Sequence, residues 1–128
     1  QCAVIRKLVR DLDLPVEIDI APTAREADGL AMSSRNAYLS AEERAIAPTL
    51  WTALTAAQLA YDSGARDPDV LRGAVLAVLA DAPRLVLDYV NAADPDTLEP
   101  LTAPSDKVLL SLAAKLGSTR LIDNLVLG

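Results

Sequence analysis

The residues best equipped for chemistry stand together at Met32-Ser33-Ser34-Arg35-Asn36. Two hydroxyls, backbone N–H groups and a planar guanidinium in consecutive positions can wrap a cluster of anionic oxygens. Phosphate is the ligand this donor set fits best. Upstream, Arg25-Glu26-Ala27-Asp28-Gly29 holds few strand formers and carries a turn signal at Asp28-Gly29. A helix signal follows the loop almost at once, so the loop is expected to borrow the positive end of a helix dipole. Composition leaves a plainer reading open, because Ser-Ser-Arg-Asn is also an ordinary solvated loop.

Other chemistries are excluded by residue type. The chain contains no histidine, which removes imidazole metal ligands, the commonest general base, and any Ser-His-Asp or Cys-His arrangement. The paired acids Glu42-Glu43 and Asp94/Asp96 read as a helix cap and a turn, not as an acid/base pair, and no protein-bound metal is expected. A formal net charge of -6 argues against general nucleic-acid binding, which needs a clustered basic face. Small anionic ligands remain compatible with it, because local charge decides their binding. The single cysteine, Cys2, permits no internal disulfide and suits a reducing, cytoplasmic setting. No run of about 18 apolar residues lacks charge or proline, so no membrane span is expected.

The elements that must position the loop follow from periodicity. Val4, Ile5, Leu8, Val9 and Leu12 recur at helical spacing and predict a helix over 1–13 with no N-cap signal before it, as if cut rather than begun. Val16, Ile18 and Ile20 alternate with Glu17 and Asp19 and predict a strand, which Pro22 ends. Helix, strand and loop in that order resemble the last unit of a parallel sheet, where ligands sit off the strand's carboxyl end.

Ser40-Ala41-Glu42-Glu43 is a capping-box pattern, and the helix it opens should kink or restart at Pro48. Trp51 is expected to cover the core edge with its N–H in water. Ser63-Gly64 closes that helix, and Asp67-Pro68 opens another whose stripe is Leu71, Ala74, Val75, Val78 and Leu79. Residues 84–92 then alternate as a strand, with Leu85, Leu87 and Tyr89 on one face. Asp94-Pro95-Asp96 turns the chain, and Leu98 to Leu101 form a short edge segment. The run 107–116 is apolar on both faces. Gly117-Ser118 and the strand-like 119–127 after it favour an antiparallel hairpin. The fold class expected is α+β: the end of a Rossmann-like α/β domain (one helix, one strand) over 1–22, then a small lid domain of helices on an antiparallel sheet over 23–128.

The stretch Pro22-Thr23-Ala24-Arg25-Glu26-Ala27-Asp28-Gly29-Leu30-Ala31-Met32-Ser33-Ser34-Arg35-Asn36 resembles the signature loop of the pantothenate synthetases, the pantoate–beta-alanine ligases. Thr119-Arg120-Leu121-Ile122-Asp123-Asn124 is similar to that family's C-terminal strand, and Gln1 with Ile5-Arg6-Lys7 to the helix before its signature. The resemblance implies a ligase that joins pantoate to beta-alanine through pantoyl adenylate, using ATP with Mg2+ as substrate. It also implies that the Met-Ser-Ser-Arg loop plays the part of the mobile Lys-Met-Ser-Lys-Ser loop of class I aminoacyl-tRNA synthetases.

Carried over by position, Met32 would lie near the adenosine, and Ser33, Ser34 and Arg35 would hold the ATP phosphates. Ser34 and Arg35 would act in catalysis. Ala24 would contact adenine through its backbone, and Gln1 would bind pantoate. Arg25, Glu26 and Asp28 would set the lid angle as turn and hinge residues. Arg120, Asp123 and Asn124 would pair across the terminal hairpin. The family's His-rich nucleotide-binding segment and its Gly-Glu-Lys-Asp segment have no counterpart in these residues, and Asp19 and Ile20 depart from the family's usual pattern before Pro22. The chain is therefore expected to be the C-terminal part of the enzyme, inactive without its N-terminal Rossmann domain. A second expectation, from a different class, is a stand-alone interaction module in which residues 1–22 pair with another chain, as in a homodimer.

Overall fold

A computed structural model describes all of residues 1–128. Four helices, α1 (Cys2–Asp11), α2 (Ala41–Ile46), α3 (Thr49–Asp62) and α4 (Pro68–Ala80), are followed by three strands, β1 (Leu85–Ala93), β2 (Val108–Leu116) and β3 (Thr119–Leu127). The strands form one antiparallel sheet in the order β1-β2-β3, so the α+β class holds. No helix is long and apolar enough to cross a membrane.

Local signals set the helix ends. The Ser40 hydroxyl accepts from the Glu43 N–H at 3.2 Å while Glu43 Oε2 accepts from the Ser40 N–H at 2.8 Å, a capping box that satisfies two orphan donors of α2. Pro48 lacks the N–H that would continue that helix, and the chain restarts as α3 at Thr49. Asp67 caps α4 by accepting the Asp69 N–H at 2.8 Å, with Pro68 at the first helical position.

The core lies between α3, α4 and one face of the sheet. Leu50, Leu54, Leu71, Val75, Leu110, Leu112, Leu116 and Leu127 are buried in it. Truncating any of these leucines to alanine would cost roughly 2–5 kcal/mol through lost transfer energy and the cavity left behind. β2 is the central strand; Val108, Leu110, Leu112, Ala114 and Leu116 point into the core, while on its other face Leu109 and Ser111 are half-buried and Lys115 is exposed. In the turn between β2 and β3, Gly117 sits at φ +59 while Ser118 stays at negative φ, the sign pattern of a type II′ hairpin turn.

Two sequence expectations are corrected here. Residues 16–20 belong to no strand, because a strand needs a partner for its N–H and C=O groups and this chain offers that segment none. The apolar stripe of α1 (Val4, Ile5, Leu8, Leu12) is likewise exposed. Second, β1 does not alternate straight through. A bulge between Leu87 and Tyr89 leaves Asp88 unpaired, so Val90 and Ala92 follow Leu85 and Leu87 toward the core, and Tyr89 faces outward.

Candidate functional site

The signature loop folds as a small hairpin followed by a turn. Arg25 pairs with Ala31 in an isolated antiparallel bridge. The Met32 N–H donates to the Ala24 carbonyl at 2.9 Å, and the Glu26 N–H to the Leu30 carbonyl at 2.8 Å. Asp28 braces the tip, accepting the Leu30 N–H at 3.2 Å and Arg44 Nη1 at 2.6 Å. That Arg44 hydrogen bond is the main reason the Asp28 carboxyl is held below the usual aspartate range.

Past the hairpin, Ser33 caps a 3-10 turn over Ser34–Tyr38, its Oγ accepting the Arg35 N–H at 3.2 Å. Asn36 ties the turn back to the hairpin by donating Nδ2–H to the Ala31 carbonyl at 3.1 Å. The helix dipole expected behind the loop is therefore only this single turn. The next α-helix begins at Ala41, and its first turn carries Glu42 and Glu43, which already answer its N-terminal partial charge.

Opposite the loop stands β3, an edge strand of the sheet. Loop and strand enclose an open concavity of about 240 Å³, with Met32, Ser33 and Arg35 on one wall and Arg120, Ile122 and Asn124 on the other. The structure thus brings together Met32, Ser33 and Arg35 from the expected set. Ser34 and Ala24 flank the concavity without lining it, and Gln1 stands exposed at the N-cap of α1, outside it. Every arginine after Pro22 except Arg35 pairs with a carboxylate. Arg35 is exposed, and its guanidinium has no partner within the chain. An uncommitted guanidinium beside a serine on the rim of the hollow is suited to an incoming anion.

Residues expected to be incidental hold the arrangement in place. Arg25, read as a hinge residue, donates Nη1–H and Nη2–H to the two carboxylate oxygens of Asp123 at 2.7 and 3.0 Å. Nη1 also donates to the Gly29 carbonyl at 3.0 Å. The guanidinium stacks 3.6 Å from the ring centroid of Trp51, so this indole is more than a cover on the core edge. The side chains of Arg120 and Asp123 do not pair across the hairpin with β2. Asp123 reaches the loop, and Arg120 Nε donates to Asp88 at 2.7 Å, across the intervening β2. An acidic residue in the inward row of β3 was the available signal, since a buried carboxylate demands a cationic partner.

Fold and site together define an α+β domain that holds a donor-rich hairpin against a sheet edge. The pantoate-beta-alanine ligase family model matches residues 1–126, and the chain belongs to that family. It is 58% identical over 128 residues to the pantothenate synthetase of Herpetosiphon aurantiacus, covering 99% of this chain and 46% of the relative. It is 49% identical to that of Geobacter sulfurreducens, covering 45% of that protein. The crystal structure of pantothenate synthetase from Thermus thermophilus superposes with a TM-score of 0.89 at 40% identity, over 97% of this chain and 45% of that one. The chain spans about half the length of the relatives it matches. Membership in a ligase family favours the ligase expectation over the stand-alone module.

Proposed function

We propose that this chain is the part of an ATP-dependent pantoate–beta-alanine ligase that grips the ATP phosphates. The observation that carries the reading is the unpaired Arg35 guanidinium, set with Met32 and Ser33 on the rim of the concavity within a chain of this family. In the first step a carboxylate oxygen of pantoate attacks the α-phosphorus of ATP. The bond to the β-phosphate oxygen breaks, and pyrophosphate leaves with the electron pair. In the second, the beta-alanine nitrogen attacks the acyl carbon, loses a proton and displaces AMP.

Charge builds on the phosphoryl oxygens and on the departing pyrophosphate. Arg35, with the hydroxyls of Ser33 and Ser34, stabilises it as donors aimed at that charge. Met32 packs near the adenosine, and the Ala24 backbone meets adenine. Gln1 holds pantoate once α1 is seated. The relatives' additional length supplies the Rossmann-like half, against which the apolar stripe of α1 and the 16–20 segment pack. Mg2+ enters with the ATP, where it neutralises phosphate charge. The chain itself gathers no group of three or more His, Cys, Asp or Glu side chains that could hold a metal ion. The reaction belongs to the cytoplasm.

Nucleotide products test the chemistry. The full-length protein carrying this chain should convert ATP to AMP and pyrophosphate in step with pantothenate. It should also exchange labelled pyrophosphate into ATP when pantoate is present and beta-alanine is not. Release of ADP and phosphate instead would mean an acyl phosphate route and would end the adenylate reading.

A further inference from the structure

Asp123 is out of place on physical grounds. It lies on the inward face of β3 in a row with Leu121, Leu125 and Leu127, opposite Leu112 of β2. A carboxylate there costs desolvation energy that an aliphatic residue would not, so a role confined to packing would be better served by leucine. Both of its oxygens are engaged: Oδ2 takes Arg25 Nη1–H, and Oδ1 takes Arg25 Nη2–H together with the Asn124 N–H at 2.8 Å. The side chains of Arg25 and Asp123 are only 17% and 3% exposed, so solvent screens this pair little.

Arg25 is fastened on three sides, to β3 through Asp123, to the hairpin tip through the Gly29 carbonyl, and to α3 through the Trp51 ring. The hairpin it belongs to ends at Met32, and the Asn36–Ala31 hydrogen bond closes the following turn onto it. The bidentate Arg25–Asp123 pair is the hydrogen-bonded link between the hairpin and β3, and so helps to set how far the wall bearing Ser33 and Arg35 stands from the wall formed by β3.

We infer that Asp123, acting through Arg25, is a positioning residue that fixes where Ser33 and Arg35 meet the phosphates of ATP. The inference rests on the functional reading above and deepens it. A planar fork held on two oxygens fixes angle as well as distance. Displacement of a donor by about 1 Å is enough to cost on the order of 100-fold in rate.

The test uses the full-length enzyme and separates ATP kinetics from stability. Asp123→Asn keeps the shape and removes the charge. It should lower kcat/KM for ATP by roughly 10–100-fold while KM for beta-alanine stays within about twofold, since that substrate reacts at the acyl carbon. Combined with Arg35→Ala, it should cost far less than the product of the two single effects, because a misplaced guanidinium has little left to lose. A lowered melting temperature with unchanged ATP kinetics, or full additivity with Arg35→Ala, would overturn the positioning role. If Asp123→Asn does not yield folded protein, Arg25→Lys, which keeps the charge and loses the fork, is read against the same two outcomes. Arg35→Ala without effect on ATP kinetics would instead defeat the functional reading itself, so the two failures are distinguishable.

Discussion

Gly29 lies against the indole of Trp51 so closely that a Cβ built on it would fall 2.0 Å from Cδ1 of the ring. The same glycine sits at φ +89, a backbone region that side chains with a Cβ rarely adopt. The ring cannot easily give way, because the Arg25 guanidinium stacks on it at 3.6 Å. The turn, the indole and the guanidinium therefore form one packed unit beneath the donor-rich loop.

The first prediction follows from that contact. Gly29→Ala combines left-handed strain with overpacking and should destabilise the domain by about 2–4 kcal/mol. Chemical denaturation of the wild-type and variant chains measures it. A midpoint shift equivalent to less than about 0.5 kcal/mol would show that the turn is looser than the packing implies.

Acid should weaken the two turns that carry capping aspartates. The hydrogen bond from Arg44 lowers the Asp28 pKa, and those from the Thr97 and Asp96 N–H groups lower that of Asp94, both from an ordinary 3.8. A carboxyl whose folded pKa is depressed binds fewer protons in the native state than in the unfolded chain. Its stabilisation is thus present above the unfolded value and is lost as pH falls through the folded one. Carboxyl-detected NMR should find both midpoints below 3.8, with stability declining across that acidic window. Midpoints at or above the ordinary value would contradict the Arg44 and backbone contacts.

Much of this arrangement is legible in the sequence where causes are local. The Ser40/Glu43 capping box, the Asp67-Pro68 helix start and the Gly117-Ser118 turn each depend on residues within a few positions of one another, and each forms as read. What escapes is set at long range. The Arg25–Asp123 pair joins positions 98 apart, and no periodicity connects them. The bulge at Asp88 interrupts an alternation that the residue types alone carry straight through. Residues 16–20 have the alternation of a strand, yet pairing depends on partners outside the segment. The donor-rich loop itself was visible because its chemistry resides in consecutive residues. That it faces β3 across a concavity was not.

The central claim is that Arg35 grips the ATP phosphates, and substitution of that residue in the full-length enzyme tests it most directly. Arg35 has no side-chain partner within the chain, so Arg35→Ala should leave the melting temperature unchanged. It should lower kcat/KM for ATP by about 100–1,000-fold, the usual loss when one donor to developing negative charge is removed. An ATP-dependent rate equal to that of the wild type, in a variant that is equally stable, would contradict the account.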